Sequence, residues 1–237
     1  MNRKLWTGGA FLAAALGVLA IVGAGGTSGE APAGPASRSL ASMPNGSQSI
    51  VFAGGCFWGV QAVFQHVRGV ELATSGYAGG SAETASYQLT STGRTGHAES
   101  VRVVYDPSVV SLDQLLDVFF TVAHDPTQLN RQGPDVGPQY RSAIFTTSEE
   151  QAAEVRAYIE KLERSHEYSK PIVTRVNPLE GFYPAEDYHQ DYLIRHPNSL
   201  YIRINDVPKV RHLEKDYPQL WRDETAPWKA PEGSNAD

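Results

Sequence analysis

The only cysteine among the 237 residues is Cys56, which lies in the run 54–59 (Gly-Gly-Cys-Phe-Trp-Gly). A cysteine thiolate is a good nucleophile and can also be oxidised reversibly. The two glycines leave the backbone side of the sulfur open, and Phe57 and Trp58 could form an aromatic wall beside it. This run therefore predicts a reactive sulfur next to an apolar pocket. The alternative is that a single cysteine is a small buried hydrophobic residue without chemistry.

The residues on either side of Cys56 predict the end of a strand and the start of a helix. Residues 50–53 (Ile-Val-Phe-Ala) are apolar and run into two glycines, which is typical of a buried strand entering a tight turn. The apolar spacing over residues 58–67 favours a helix. Unpaired N–H groups and the positive end of the helix dipole would then favour a thiolate over a thiol at Cys56.

Carboxylates, tyrosines and histidines elsewhere in the chain could act with this sulfur. Glu99 opens an apolar strand directly after a glycine-containing turn, so we expect its carboxyl to be partly buried. A buried carboxyl stays protonated to higher pH and can then donate a proton. Taken singly, His97, Tyr87 and Tyr140 have ordinary structural explanations as a loop donor and half-buried strand aromatics.

The rest of the chain alternates between strand and helix patterns, which predicts an α/β or α+β fold with a mixed sheet. We expect strands at 70–77, 101–105, 140–146 and 171–176, and helices that begin at Ser111, Ser148 and Pro184, the last one ending at Arg195. The segment 125–139 is rich in Pro, Gly, Asn and Gln and is expected to be irregular. The polar tail from Asn198 onward is expected to wrap the surface.

The N-terminus has the pattern of an export signal. A basic start at residues 1–4 precedes an apolar segment at 11–24 and a cluster of small residues. We predict a signal peptide or N-terminal anchor at 1–26, a flexible linker at 27–47, one folded domain at 48–222 and a disordered tail at 223–237. An uncleaved anchor would tether the protein to a membrane through residues 5–26.

Charge and cysteine use narrow the class of protein further. The net charge of −6 becomes −8 if the signal is removed with Arg3 and Lys4, leaving 18 basic against 26 acidic residues, and such a surface disfavours nucleic acid. An exported protein with one cysteine cannot form an internal disulfide, so a reactive thiol or an intermolecular partner is expected. The predicted location is the periplasm or another extracytoplasmic space.

The run 54–59 resembles the signature of the A-type peptide methionine sulfoxide reductases. Five further segments resemble the family's pattern in the same order, namely 76–80 (Gly-Tyr-Ala-Gly-Gly), 96–99 (Gly-His-Ala-Glu), 106–107 (Asp-Pro), 135–144 (Asp-Val-Gly-Pro-Gln-Tyr-Arg-Ser-Ala-Ile) and 185–190 (Ala-Glu-Asp-Tyr-His-Gln). Together they cover nearly all of residues 49–200. The resemblance implies that 48–222 is a catalytic domain of ferredoxin-like character with a mixed sheet, flanking helices and a shallow site open to solvent.

The resemblance also implies a reaction and a set of site residues. The family reduces methionine S-sulfoxide, in proteins or free, to methionine, without a bound cofactor or metal. Carried over by position, Cys56 is the nucleophile and becomes a sulfenic acid, Glu99 donates a proton, and Tyr87 and Tyr140 hold the sulfoxide oxygen. The implied substrate-binding residues are Phe57 and Trp58, which hold the methyl group, with Asp135 and His189 in support.

The chain departs from many family members near its end. Those members have one or two cysteines there that attack the sulfenic acid, whereas residues 198–237 contain none. An external thiol, either a small dithiol or a thioredoxin-like protein, is therefore the expected reductant. We expect a monomer.

Two other functions stay open at this level. A cysteine hydrolase or acyl transferase could use His97 or His189 as base, oriented by Asp135 or Asp187. A binding module without catalysis could recognise methionine through the aromatic pair after Cys56. A metal site is the least favoured alternative, because the seven histidines show no ligand spacing.

Overall fold

A computed structural model describes residues 46–226 and residue 228. The predicted signal or anchor at 1–26, nearly all of the linker at 27–47 and most of the predicted tail at 223–237 lie outside the described residues. Among the helices within these bounds, none is both long enough and apolar enough to cross a membrane.

A six-stranded mixed sheet forms the centre of the domain, which confirms the predicted α/β class. Its strand order is β7-β6-β1-β3-β2-β8, and only β6 and β7 run parallel to each other. The strands are β1 Gln48–Gly54, β2 Val70–Ala78, β3 Ala98–Tyr105, β4 Arg131–Gln132, β5 Asp135–Val136, β6 Ser142–Thr146, β7 Arg175–Pro178 and β8 Phe182–Pro184, of which β4 and β5 form a separate hairpin.

Residues 46–226 form six α-helices that flank the sheet: α1 Phe57–Gln65, α2 Tyr87–Thr90, α3 Leu112–Val118, α4 Glu149–Ser165, α5 Tyr192–Arg195 and α6 Val207–Asp216. A π-helical turn, Phe119–Ala123, continues α3. The main core lies between the sheet and the helices, where the Phe52 ring stacks on Phe64 of α1 and on Phe119, with centroids 4.8 and 4.6 Å apart. Burial of these large apolar side chains is the principal stabilising contribution.

The position of β1 inside the sheet fixes where Cys56 lies. β1 pairs antiparallel with β3 on one side and with β6 on the other, so its backbone is held on both edges. The strand ends at Gly54, opposite Ser142 of β6, and α1 begins three residues later. The predicted strand, turn and helix around the cysteine are therefore confirmed.

The predicted helix starts at Ser111 and Ser148 are confirmed, whereas the predicted fourth strand is displaced. Ser111 and Gln114 form a reciprocal capping box for α3, and the Ser148 hydroxyl accepts a hydrogen bond from the Gln151 N–H of α4. The predicted fourth strand at 171–176 is displaced, because Val173 donates to the carbonyl of Pro126 and pairing with β6 begins only at Arg175.

The helix predicted from Pro184 to Arg195 is wrong. Residues 182–184 form β8, which pairs with β2, and a 3₁₀ turn at Asp187–His189 follows. The backbone then turns extended at Gln190 and left-handed at Asp191, with φ of 54°, before the short α5 begins. Buried side-chain hydrogen bonds hold this break: Gln190 bonds the backbone of Ser75 and Gln61 accepts from the Asp191 N–H.

The tail from Asn198 onward does not simply wrap the surface as predicted. It forms a π-helical segment, Ile202–Asp206, followed by α6, and both elements pack against α1. Ile202 and Leu213 are fully buried. Val207, Val210 and Leu213 recur every three residues, a helical spacing that the expectation of a polar surface tail overlooked. The described chain also continues along the domain beyond residue 222, where Ala226 donates to the carbonyl of Gln65.

The segment 125–139 is mostly irregular, as predicted, but carries the hairpin of β4 and β5. Gln132 in this hairpin accepts from the Asp125 N–H and donates to the Asp125 carbonyl, which closes the loop. Its side chain lies directly over Gly55, where an added Cβ would come within 2.5 Å. The loop is thus packed against the turn that carries the cysteine.

We expect Gly55→Ala to destabilise the domain by about 2–3 kcal/mol, since the φ of +95° disfavours a side chain and Gln132 blocks the space. Urea unfolding would measure the change. Gly133→Ala is the matched control: its φ of +55° is also left-handed, but an added Cβ meets nothing within 4 Å. A similar loss of stability in both variants would contradict the role of Gln132.

Candidate active site

Cys56 lies at the N-cap of α1, with only 8% of its surface exposed. The Trp58 N–H in the first turn of the helix points at the sulfur and stabilises a negative charge there. The backbone thus places the sulfur at the helix N-terminus, where the sequence pattern put it.

The Glu99 carboxyl lies beside the same helix terminus. It belongs to β3, opposite Tyr77 of β2, and is only 2% exposed. The Phe57 N–H donates to Glu99 Oε2 at 3.1 Å, so consecutive N–H groups of one helical turn serve the carboxyl and the sulfur. Burial raises the pKa of Glu99 to about 8, with the neighbouring carboxyl of Asp135 adding to the effect and the Phe57 N–H opposing it. The carboxyl is therefore protonated at neutral pH.

The expected preference for a thiolate at Cys56 is wrong for the free protein. Burial raises the pKa of the Cys56 thiol well above its usual value, and the carboxyls of Glu99 and Asp206 raise it further. The hydrogen bond from Trp58 acts in the opposite direction but is outweighed. Desolvation and nearby negative charge thus override the helix N-terminus, and the resting cysteine is a thiol.

Two phenols approach the sulfur and the acid from other elements. Tyr87 begins α2, whose Ser86 cap accepts from the Leu89 N–H, and Tyr140 ends a 3₁₀ turn, Pro138–Tyr140. Burial is the main cause that raises the pKa of both phenols. The charge of Glu99 is the second cause, and the charge of Cys56 raises both pKa values further. Both hydroxyls are therefore neutral and able to donate a hydrogen bond. The structure brings them to the same site as Cys56 and Glu99.

Aromatic rings form the other side of the site. Phe57 is buried, while the half-buried Trp58 stacks on Tyr192 with ring centroids 3.7 Å apart. Trp58 Nε1–H donates to His189 Nδ1 at 3.1 Å, and the His189 ring also lies 4.3 Å from that of Tyr87. Burial lowers the pKa of His189, so the imidazole is neutral and accepts this hydrogen bond.

Asp135, the remaining predicted residue, holds a tyrosine that the sequence did not single out. The Tyr201 hydroxyl donates to Asp135 Oδ2, and its ring meets Trp58 edge-on at 5.8 Å. Burial raises the pKa of Tyr201, and the charge of Cys56 is the second largest cause of this increase. The phenol therefore lies near the sulfur. Tyr192 and Tyr201 were both missed. Their only sequence signal is that they are aromatic residues in a segment otherwise rich in polar side chains.

The arrangement does not favour a cysteine hydrolase. His97 Nε2 bonds the carbonyl of Ser81, and His189 is engaged by Trp58. Neither imidazole forms a hydrogen bond with Cys56 in the part of the chain that the structure describes. Over the same residues, no group of three or more His, Cys, Asp or Glu side chains is placed to hold a metal ion. Asp187, the other proposed orienting residue, lies in the 3₁₀ turn before His189.

A thiol, a protonated carboxyl and neutral phenols at one site define a thiol-dependent enzyme whose substrate carries a basic oxygen. Over residues 48–220 the chain matches the family described as peptide methionine sulfoxide reductase. It is 54% identical over 176 residues to peptide methionine sulfoxide reductase MsrA 2 of Mesorhizobium japonicum, covering 74% of this chain and 90% of that protein. The chain therefore belongs to the A-type peptide methionine sulfoxide reductases.

Other relatives agree with this assignment. MsrA 2 of Synechocystis sp. is 51% identical over 178 residues, which cover 75% of this chain and 83% of that protein. Among solved structures, reduced Mxr1 from Saccharomyces cerevisiae is similar with a TM-score of 0.61 and 35% identity, covering 66% of this chain and 89% of that one. Methionine sulfoxide reductase A of Corynebacterium diphtheriae has a TM-score of 0.59 and 40% identity, covering 66% and 78%.

Proposed function

We propose that the protein reduces methionine S-sulfoxide, in oxidised proteins and as the free amino acid, with Cys56 as the nucleophile and an external thiol as the reductant. Membership of the family supports the reaction. The observation that carries the assignment of roles is the pairing of Cys56 with Glu99, whose raised pKa of about 8 keeps it a carboxylic acid next to the sulfur.

The first half of the reaction transfers one oxygen atom from the substrate to Cys56. As the sulfur attacks the sulfoxide sulfur, Glu99 gives its proton to the oxygen, which Tyr87 and Tyr140 stabilise by hydrogen bonds as its negative charge grows. The S–O bond of the substrate and the transient bond between the two sulfurs break, a Cys56 S–OH bond forms, and the thiol proton returns to Glu99. The products are methionine and a Cys56 sulfenic acid, so the cysteine is oxidised by two electrons.

The second half returns the cysteine to its reduced form. One external thiol attacks the sulfenic acid, forming a mixed disulfide and releasing water, and a second thiol displaces Cys56 as a thiol. The chain has no other cysteine, so both thiols come from outside. A small dithiol or a thioredoxin-like protein supplies two thiols in one molecule. No bound cofactor is part of this scheme.

The two unlike sides of the pocket support selection of one sulfoxide epimer. Phe57 and Trp58 offer apolar surface for the methyl group, whereas Glu99 and the phenols offer donors for the oxygen. Exchanging methyl and oxygen, as in the R epimer, would put the polar atom against the rings and leave the donors unpaired. We infer from the family resemblance that the accepted form is the S epimer.

The test is an assay on the two purified epimers of a methionine sulfoxide peptide with dithiothreitol as sole reductant. We expect the S epimer to be consumed and the R epimer to remain. Consumption of both at equal rates would contradict the two-sided pocket, and loss of neither would contradict the function. An ester substrate in parallel tests the hydrolase alternative, which predicts an acyl adduct on Cys56 and no sulfoxide loss.

We further propose that the protein acts outside the cytoplasm as a monomer. The support is the basic start, the apolar segment 11–24 and the small residues after it, which suit a secretory signal or an anchor through residues 5–26. Residues 27–47 would then act as a flexible linker to the catalytic domain at 48–222. Sequencing the N-terminus of the protein from fractionated cells tests the location and the cleavage together.

A further inference from the structure

Asp206 is a buried carboxylate that the proposed reaction does not use. Its side chain is 0% exposed, and neither carboxyl oxygen has a hydrogen-bond partner within the described residues. Among the residues that the structure describes, its one salt bridge is with the Lys209 ammonium, 3.5 Å from Oδ1. Burying a carboxylate with so little compensation costs several kcal/mol, so a group of this kind needs an explanation.

Asp206 lies against the first turn of the helix that carries the cysteine. A Cβ added to Gly59 would come within 2.1 Å of Asp206 Oδ1 and 3.1 Å of Lys209 Nζ. Gly59 is three residues after Cys56, so both lie on the same face of α1. The last glycine of the run 54–59 is therefore the residue that admits Asp206 to this face.

We propose that the negative charge of Asp206 holds Cys56 in the thiol form while no substrate is bound, and so protects the lone cysteine from peroxide. The proposal rests on the function proposed above and adds a control of the same site. Without a second cysteine to trap it, a sulfenic acid can be oxidised further and irreversibly. A small fraction of thiolate in the empty site is therefore an advantage.

The unwanted reactions need peroxide as the oxidant. The thiolate attacks one peroxide oxygen, the O–O bond breaks, and sulfenic acid and hydroxide form. The sulfenic acid, once ionised, attacks a second peroxide to give sulfinate and water, and each step takes two electrons from the sulfur. Both start from an ionised sulfur, whereas reduction of a bound sulfoxide has Glu99 and the phenols in place to assist.

The charged and titratable groups around these two residues define the expected pH behaviour. The groups facing Cys56 are Glu99 of β3, Asp135 of β5, Asp206 and Tyr201 of the C-terminal segment, and the phenols of Tyr87 and Tyr140. Lys209 and Asp135 act on Asp206 itself. Burial raises the pKa of Asp206 to about 6, and that of Glu99 is about 8. Because these two pKa values differ, Asp206 and Glu99 ionise in two separate steps between pH 5 and 9, while the phenols stay neutral.

The experiment follows alkylation of Cys56 by iodoacetamide between pH 5 and 9, with mass spectrometry as the readout. In the wild type, the rate should rise less than tenfold per pH unit near pH 6 and again near pH 8, because each new negative charge opposes the thiolate. Asp206→Asn should lose the step near pH 6 and react about tenfold faster at pH 7, which corresponds to one pKa unit. Hydrogen peroxide should convert its cysteine to sulfinic acid faster by a similar factor.

Asp117→Asn is the matched control, since this carboxyl accepts a hydrogen bond from Tyr158 and does not act on Cys56. It should keep the wild-type profile. An Asp206→Asn profile like that of the wild type would overturn the proposal. If that variant does not fold, the wild type alone decides: a profile without a step near pH 6 would overturn the proposal. Neither measurement uses a sulfoxide, so a shifted profile in a protein inactive on methionine sulfoxide would refute the proposed function alone.

Discussion

Cys56→Ser is expected to lower sulfoxide reduction to the rate of dithiothreitol alone. A serine hydroxyl is a much weaker nucleophile and cannot take up the oxygen as a sulfenic acid, so the first step has no replacement. The measurement is consumption of the S epimer by chromatography. In the wild type, a single turnover without reductant should leave a sulfenic acid on Cys56 that dimedone traps, and the serine variant should give no adduct.

The serine variant also separates chemistry from folding. Serine is a favourable N-cap residue and is only slightly smaller than cysteine, so the unfolding temperature should stay close to that of the wild type. Activity retained at the wild-type level in a folded Cys56→Ser protein would disprove the assignment of the nucleophile. A wild type that turns over without any dimedone adduct would disprove the sulfenic acid intermediate.

Glu99→Gln should slow sulfoxide reduction by roughly 10²–10⁴, the usual contribution of a general acid. Glutamine has the same shape and can still accept the hydrogen bond from the Phe57 N–H, but it has no acidic proton to give to the leaving oxygen. Steady-state kinetics with the S epimer would measure the loss, which we expect mainly in kcat because the proton moves in the transition state.

The pH profile tests the same role independently. The acid form of Glu99 predominates below its pKa of about 8, so the wild-type rate should fall as the pH rises through this value, and this fall should be absent in Glu99→Gln. Glu71→Gln removes an exposed carboxyl on β2 that accepts from Ser47 and should behave as the wild type. A Glu99→Gln enzyme within a few fold of the wild type would exclude Glu99 as the acid.

The local chain around Cys56 was predictable because its signals are local. An apolar run ending in glycines, followed by helical spacing, predicted β1, the turn and α1. The cap at Ser111 was equally clear, since capping depends on residues three apart in sequence. The break at Gln190 and Asp191 was not predictable, because it depends on the side chain of Gln61 and the backbone of Ser75, which are more than 100 residues away.

The sequence by itself determined the lone sulfur, its position at a strand-to-helix turn, and the family whose motifs contain Glu99 and Tyr140, whereas Tyr87 was assigned from its spacing to Glu99. Only the tertiary structure decided that the resting cysteine is a thiol and that Tyr201 and Asp206 face it from the C-terminal segment. The physical reason is that a pKa depends on desolvation and on charges acting through space. Both arise only when elements distant in sequence pack around the same sulfur.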